Sequence, residues 1–255
     1  GAAGGAVAKK GQDSAAATQV RQSINSSLDD VKKKGKLSQK EAMEIMVKMM
    51  ALQRMEGKGG AGAAGGEDDA VGGTAAGAAA NVVVVTGKEV IVANAGDSRS
   101  IISVKGKAKE LSFDHKPNNP GERARITEAG GWITDGANGH YRVNGNLNLS
   151  RSIGDLKYKV DAAITPDKQI ITAEPDITRH AIGKDDEFIV VACDGVWDCM
   201  SNQEVVDFVA ERLKKKQKLS DICNAIFDHC IAEDPKQSAG IGGDNMTCMI
   251  IELKR

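Results

Sequence analysis

Two stretches decide the fold of this chain: FIVVACDG, Phe188 to Gly195, and GGDNMTCMIIEL, Gly242 to Leu253. The first is a continuous apolar strand that delivers the carboxylate of Asp194 at its C-terminal tip, where Gly195 lets the chain turn sharply. In the second, Asp244 follows two glycines and stands just before an apolar strand. If the two strands pair antiparallel, both carboxylates meet at one edge of a sheet. Two acids held close together repel unless a cation sits between them, and oxygen-only ligands suit a hard ion such as Mg²⁺ or Mn²⁺. The alternative at this level is that each aspartate caps a helix or turn.

Upstream, short β-branched runs alternate with tight turns: NVVVV (Asn81 to Val85), EVIVANA (Glu89 to Ala95) and SIISV (Ser100 to Val104). Their spacing predicts an antiparallel meander. A helix is expected from Pro120 to Gly130-Gly131, with Pro at its start and Gly past its end. A strand run follows at YRVNGNLNL. Downstream of Asp194, Ser201 and Glu204 form a capping-box pattern opening a helix with Val205, Val206, Phe208, Val209 and Leu213 on one face. A last helix from about Ser220 carries Ile222, Ile226, Phe227 and Ile231. Strands and helices thus come in blocks, which points to an α+β sandwich rather than a parallel doubly wound sheet.

Residues 1–71 are different in kind. Gly and Ala fill 9 of the first 15 positions and 18 of the 24 from Gly57 to Ala80, so much of this segment reads as tether or linker. Two short helices interrupt it. Val20, Ile24, Leu28 and Val31 recur at helical spacing and stop near Gly35. A capping-box pattern at Ser38 and Glu41 opens a second, with Met43, Ile45, Met46, Met49, Met50 and Leu52 as its apolar face. All eight aromatics and all five cysteines lie between Phe113 and the last residue, so the core-forming chain is residues 72–255.

Composition excludes some functions. With 34 Lys+Arg against 35 Asp+Glu, no overall field would draw the chain to nucleic acid. The runs VKKKGK and LKKKQK read as solvated helix ends. No run approaches the ~20 apolar residues of a membrane span, and the first residues lack a signal-peptide pattern. The expectation is an intracellular protein, cytoplasmic, nuclear or both, with no membrane partner. Cys193, Cys199, Cys223, Cys230 and Cys248 are odd in number without CxxC spacing, and read as small packed hydrophobes.

Six runs in order resemble the motifs of the metal-dependent serine/threonine protein phosphatases of type 2C: GGTAA (Gly72 to Ala76), VANAGDSRS (Val92 to Ser100), FDHKPNNPGERARI (Phe113 to Ile126), RVNGNLNLSRSIGD (Arg142 to Asp155), DDEFIVVACDGVWDCMSNQEVVDFV (Asp185 to Val209) and DNMTCMII (Asp244 to Ile251). NLNLSRSIGD and the linker before GGTAA look more like the gamma-type members. The resemblance implies a four-layer α/β/β/α sandwich of two antiparallel sheets, with residues 72–255 as the C-terminal part of the catalytic domain. It implies hydrolysis of phosphoserine and phosphothreonine in phosphoprotein substrates by a metal-activated water. Asp194 and Asp244 match catalytic aspartates that hold two Mg²⁺ or Mn²⁺ ions, and Asp114 matches the ligand of a third, weaker ion shared with Asp194. Cys193 is expected to pack on the far side of the strand.

The match has a gap. The family's phosphate-binding Arg and its Asp-Gly-His-Gly-Gly run have no counterpart in these residues; Asp135-Gly136 falls in a loop, and His140 reads as surface. The expectation is a domain incomplete at its N-terminal side, with strands such as NVVVV either covered by a partner chain or left in a marginally stable product. The alternative function is a catalytically impaired module serving as a structural or phosphoprotein-binding subunit. Asp97-Ser98-Arg99 reads as a structural turn, with phosphate contact as the alternative. Arg142, Asn144, Ser150 and Arg151 read as scaffold, as does Asp155, placed by the resemblance near enough to tune the site.

Overall fold

The computed structural model describes residues 15–34, 41, 44, 45, 48, 76–136, 140–234, 237, 238 and 240–253. The chain falls into two compact units, Gly1–Glu67 and Asp68–Arg255. In the first, helix α1 (Ala15–Lys34) stops just before Gly35, as its apolar spacing predicts, and buries Ile24. Lys34 pairs with Glu41 at 2.8 Å, and Lys48 Nζ donates to Ser27 Oγ at 2.9 Å. Most of the helix expected from Ser38 lies outside the described residues.

The second unit contains strands β1 (Gly77–Ala78), β2 (Ala80–Val85), β3 (Glu89–Ala95), β4 (Arg99–Val104), β5 (Lys107–Glu110), β6 (Ile133–Asp135), β7 (Tyr141–Val143), β8 (Ile153–Gly154), β9 (Asp176–Ala181), β10 (Asp186–Ala192) and β11 (Cys248–Glu252). Its helices are α2 (Pro120–Glu128), α3 (Asp194–Trp197), α4 (Asn202–Lys214) and α5 (Leu219–Cys230). One sheet has the order β11-β10-β4-β5 and another β2-β3-β9, with small pairs β1-β8 and β6-β7, and all of these strand pairs are antiparallel.

The period-two alternation of the strands builds the layers. Phe188, Val190 and Ala192 of β10, with Ile101 and Ile250, turn to one face and meet Val205, Val206 and Val209 of α4 and Ile222 and Ile226 of α5. Ile189 and Val191, with Ile102 and Ile251, turn to the other and meet Val83, Val85, Val90 and Val92 of the second sheet. Each fully buried side chain of this kind contributes about 1.5–3 kcal/mol. Phe188, the bulkiest of the fully buried side chains, is 2% exposed, and its loss to Ala would cost about 3–5 kcal/mol. Both halves of the Ser201–Glu204 capping box form at the head of α4.

The meander expected of the first three strands holds only for β2 and β3. β3 pairs onward with β9, while β4 joins the other sheet, so the Gly96-Asp97-Ser98 turn carries the chain between layers. Gly96 makes the crossing possible: its φ is +122°, and a β-carbon there would lie 2.5 Å from that of Ala79. A short chain of β-branched residues does not say which sheet its strand joins, because both sheets offer the same apolar face. The YRVNGNLNL strand is also shorter than expected, ending at Val143 where Asn144 takes a φ of +49°.

Candidate active site

Sheet topology gathers the loops that matter. β10 lies between β11 and β4 and runs opposite to both, with Ala192 facing Cys248 on one side and Arg99 on the other. Asp194 just after β10, Asp244 just before β11, Asp97 just before β4 and Asp114 just after β5 are therefore brought to one end of the same sheet. Antiparallel pairing of the two deciding stretches is observed. Gly195 has a steric role here: a β-carbon would stand 2.4 Å from the Asn245 carbonyl oxygen, so only glycine lets the Asp194 turn close on the Asp244 loop.

Burial pushes the Asp194 carboxyl up to about 6, and the charges of Asp97 and Asp244 push the same way. Asp198, one turn further along, is also raised by burial, with Asp97, Asp114 and Asp244 adding to it and Lys116 opposing. Asp97 is buried and held by Lys116 Nζ at 2.8 Å. Asp114 is gripped by both nitrogens of the Arg99 fork, Nε to Oδ1 at 2.8 Å and Nη2 to Oδ2 at 2.7 Å. Arg99 also reaches Asn202 Oδ1 at 2.7 Å and stacks over Trp197. The turn of Asp97-Ser98-Arg99 is thus structural and acidic at once.

Sequence reasoning singled out Asp194, Asp244 and Asp114 and missed Asp97 and Asp198 as members of the cluster. Asp198 had a signal, the four-residue helical spacing from Asp194. Asp97 had a weaker one, a second strand-tip aspartate next to a glycine. Cys193 is half-buried rather than packed away: its Sγ accepts from Thr247 N at 3.1 Å and donates to Asn245 O at 3.4 Å, tying the two loops. The chain has already left β10 at that residue, so strand alternation no longer sets its direction. Asp155 accepts from Ser152 Oγ at 2.5 Å beside the β1-β8 pair.

An open cleft of about 450 Å³ adjoins the acids, lined by Lys116, Pro117, Asn118, His140, Tyr141, Asn148, Asp198 and Ile241. His140, read as loop surface, forms part of its wall. A second charged group neutralises its own acids. Glu122 accepts from Arg125 at 2.7 Å, Arg151 at 2.6 Å and Ser150 Oγ at 2.6 Å, and Arg151 also holds Asp176 at 2.8 Å. Ser150 and Arg151, read as scaffold, are tied into this group. Among the described residues, every buried side-chain nitrogen and oxygen has a partner.

The donor set suits a hard divalent cation, since it is made of carboxylates that, after burial, raise Asp194 by mutual repulsion that a cation would relieve. Among the described residues, no three His, Cys, Asp or Glu side chains already enclose a metal position. No helix among them is long and apolar enough to cross a membrane.

The fold and its acidic end define an α+β sandwich protein with aspartates gathered at one sheet end, of which Asp198 lines an open cleft. The profile of the Protein phosphatase 2C family matches residues 6–238, and the chain belongs to that family. The match reaches back well before Gly72, where the recognisable motifs begin. Protein phosphatase 2C homolog 2 of Aspergillus fumigatus is 52% identical over 172 residues, 68% of this chain and 39% of that protein. Probable protein phosphatase 2C 58 of Oryza sativa subsp. japonica is 47% identical over 174 residues, 68% of this chain and 45% of that one. The chain spans about two fifths of the length of the curated relatives it matches. The crystal structure of serine-threonine phosphatase 2C from Toxoplasma gondii superposes with a TM-score of 0.61 at 18% identity, covering 96% of this chain and 72% of that one, a likeness of fold.

Proposed function

We propose that the protein is a Mg²⁺/Mn²⁺-dependent protein serine/threonine phosphatase acting on phosphoprotein substrates. The observation that carries this reading is the gathering of Asp194, Asp244, Asp97 and Asp198 at one sheet end, where burial and neighbouring carboxylates raise Asp194, beside an open cleft lined by Asp198. Asp194 and Asp244 would hold two ions, and Asp114 with Asp194 a third. Bound there, the ions supply an activated water and neutralise charge on the phosphoryl group. The chain's own part is to fix the carboxylates: the Gly195 contact closes one loop on another, and the Arg99 fork orients Asp114. In the reaction, water oxygen bonds to phosphorus as the ester P–O bond breaks, and the seryl or threonyl oxygen leaves with a proton. Five free thiols fit a reducing compartment, cytoplasm or nucleus. Residues 72–255 form the catalytic part in this reading.

The test is hydrolysis of a phosphothreonine peptide by purified chain with saturating Mn²⁺. Asp194→Asn is expected to lower the rate on the order of 10²–10³-fold. Equal rates in both proteins would sink the assignment and return the chain to a non-catalytic, phosphoprotein-binding module.

A further inference from the structure

His115 lies between the two charged groups, buried, with its ring fully committed. Its backbone N donates to Gly96 O at 3.0 Å, and Gly96 N donates back to His115 Nδ1 at 3.1 Å. An N–H can donate only to a nitrogen with a free lone pair, so Nδ1 carries no proton. The imidazole is therefore neutral with its hydrogen on Nε2, which faces Asp176 Oδ2 at 3.0 Å. Asp176 is held in turn by Arg151, and Arg151 by Glu122. The His115 carbonyl accepts from Ser150 N at 3.0 Å. Asn94 adds a parallel tie, its Nδ2 donating to Gly96 O at 3.1 Å and to Phe113 O at 2.9 Å.

The consequence lies in the neighbours. Asp97 follows Gly96, and Asp114 precedes His115. Whatever locks Gly96 to His115 also sets the spacing of those two carboxylates, which come from loops 17 positions apart in the sequence. We propose that His115, held in its Nε2–H tautomer by Asp176, is a positioning residue that sets Asp97 against Asp114 for divalent-ion binding, with Asp97 carrying the affinity and Asp114 the turnover. This inference rests on the metal-dependent reading of the site. His115 itself touches neither ion nor substrate; its Nδ1 fixes the Gly96 loop against the Asp114 loop, and Asp176 keeps that nitrogen free to accept.

Two substitutions separate the ring's two contacts. In His115→Asn the side-chain oxygen takes the place of Nδ1 and still accepts from Gly96 N. In His115→Gln the amide nitrogen takes the place of Nε2, reaching Asp176 and abandoning Gly96. Calorimetric titration of the full chain with Mn²⁺ is expected to give a Kd within about threefold of wild type for His115→Asn and about tenfold or more weaker for His115→Gln. Equal Kd values in the two folded variants, or the reverse order, overturn the proposal. Should His115→Gln not fold, Asp176→Ala alters an exposed carboxylate instead; a Kd weakened about threefold or more supports the lock, and an unchanged one overturns it. A wild-type chain that takes up no Mn²⁺ would remove the metal reading itself, and the lock is then decided by ¹⁵N NMR. A proton on Nε2 with a slowly exchanging Gly96 amide sustains it; a proton on Nδ1 defeats it.

Discussion

Two acid-rich regions of the same unit are handled in opposite ways. Around Glu122 each carboxylate meets cations: the Glu122 carboxyl is lowered despite its burial, because Arg151, Ser150 and Arg125 stabilise its charge. The hydrogen bond from His115 and the charge of Arg151 take Asp176 down to about 2. Around Asp194 burial is joined by other carboxylates, and the shift runs upward to about 6. The difference separates structure from function. Charges that the chain neutralises itself lock loops in place, whereas a cluster left net acidic stores a demand for an external cation.

The largest expected effect tests this contrast through stability. Glu122→Gln leaves the Arg125 and Arg151 guanidinium groups facing each other without their acid, and should cost about 3 kcal/mol in urea unfolding. Asp194→Asn in EDTA should cost nothing or raise the midpoint, since it removes repulsion. A loss in both would erase the distinction between the regions.

Asp114 is the intermediate case, an acid of the site already gripped by Arg99. Asp114→Asn should leave Mn²⁺ affinity within about threefold of wild type while lowering kcat roughly tenfold. Affinity lost as strongly as in Asp194→Asn would place Asp114 with the unpaired acids instead.

The smallest effect is a tilt with pH in metal-free protein. Asp194 titrates at about 6 folded against an ordinary 3.8, so the folded state binds more protons between these values and stability falls as pH rises through them. Asp176 works the other way. With a folded value of about 2 against 3.8, its contribution is present above about 3.8 and lost as pH falls toward 2. Urea midpoints measured in EDTA across the acid range should lose the first slope in Asp194→Asn and the second in Asp176→Asn. Unchanged slopes would mean that other groups set the acid response.

Much of this is legible in the amino-acid sequence alone. The apolar runs ending in Asp194 and starting after Asp244 read as strands, and the helices at Pro120 and Ser201 carry their own start signals. Such features depend on neighbours within a turn or a strand. Asp97 and Asp198 were less visible because membership in the cluster depends on which strand lies beside which. Glu122, Arg151 and Asp176 come from three separate segments, and nothing near any of them in sequence announces the others.

By itself, then, the sequence marked many of the strands and helices and made the meeting of Asp194 and Asp244 depend on a single antiparallel pairing, because periodicity and capping are short-range matters. Only the tertiary structure decided that β4 leaves β3 for the other sheet and that Asp97 joins the acids. It also decided that the Gly96 amide meets the His115 ring at Nδ1. Those outcomes depend on contacts between loops distant along the chain, where geometry and charge balance select among arrangements that the local residues allow equally.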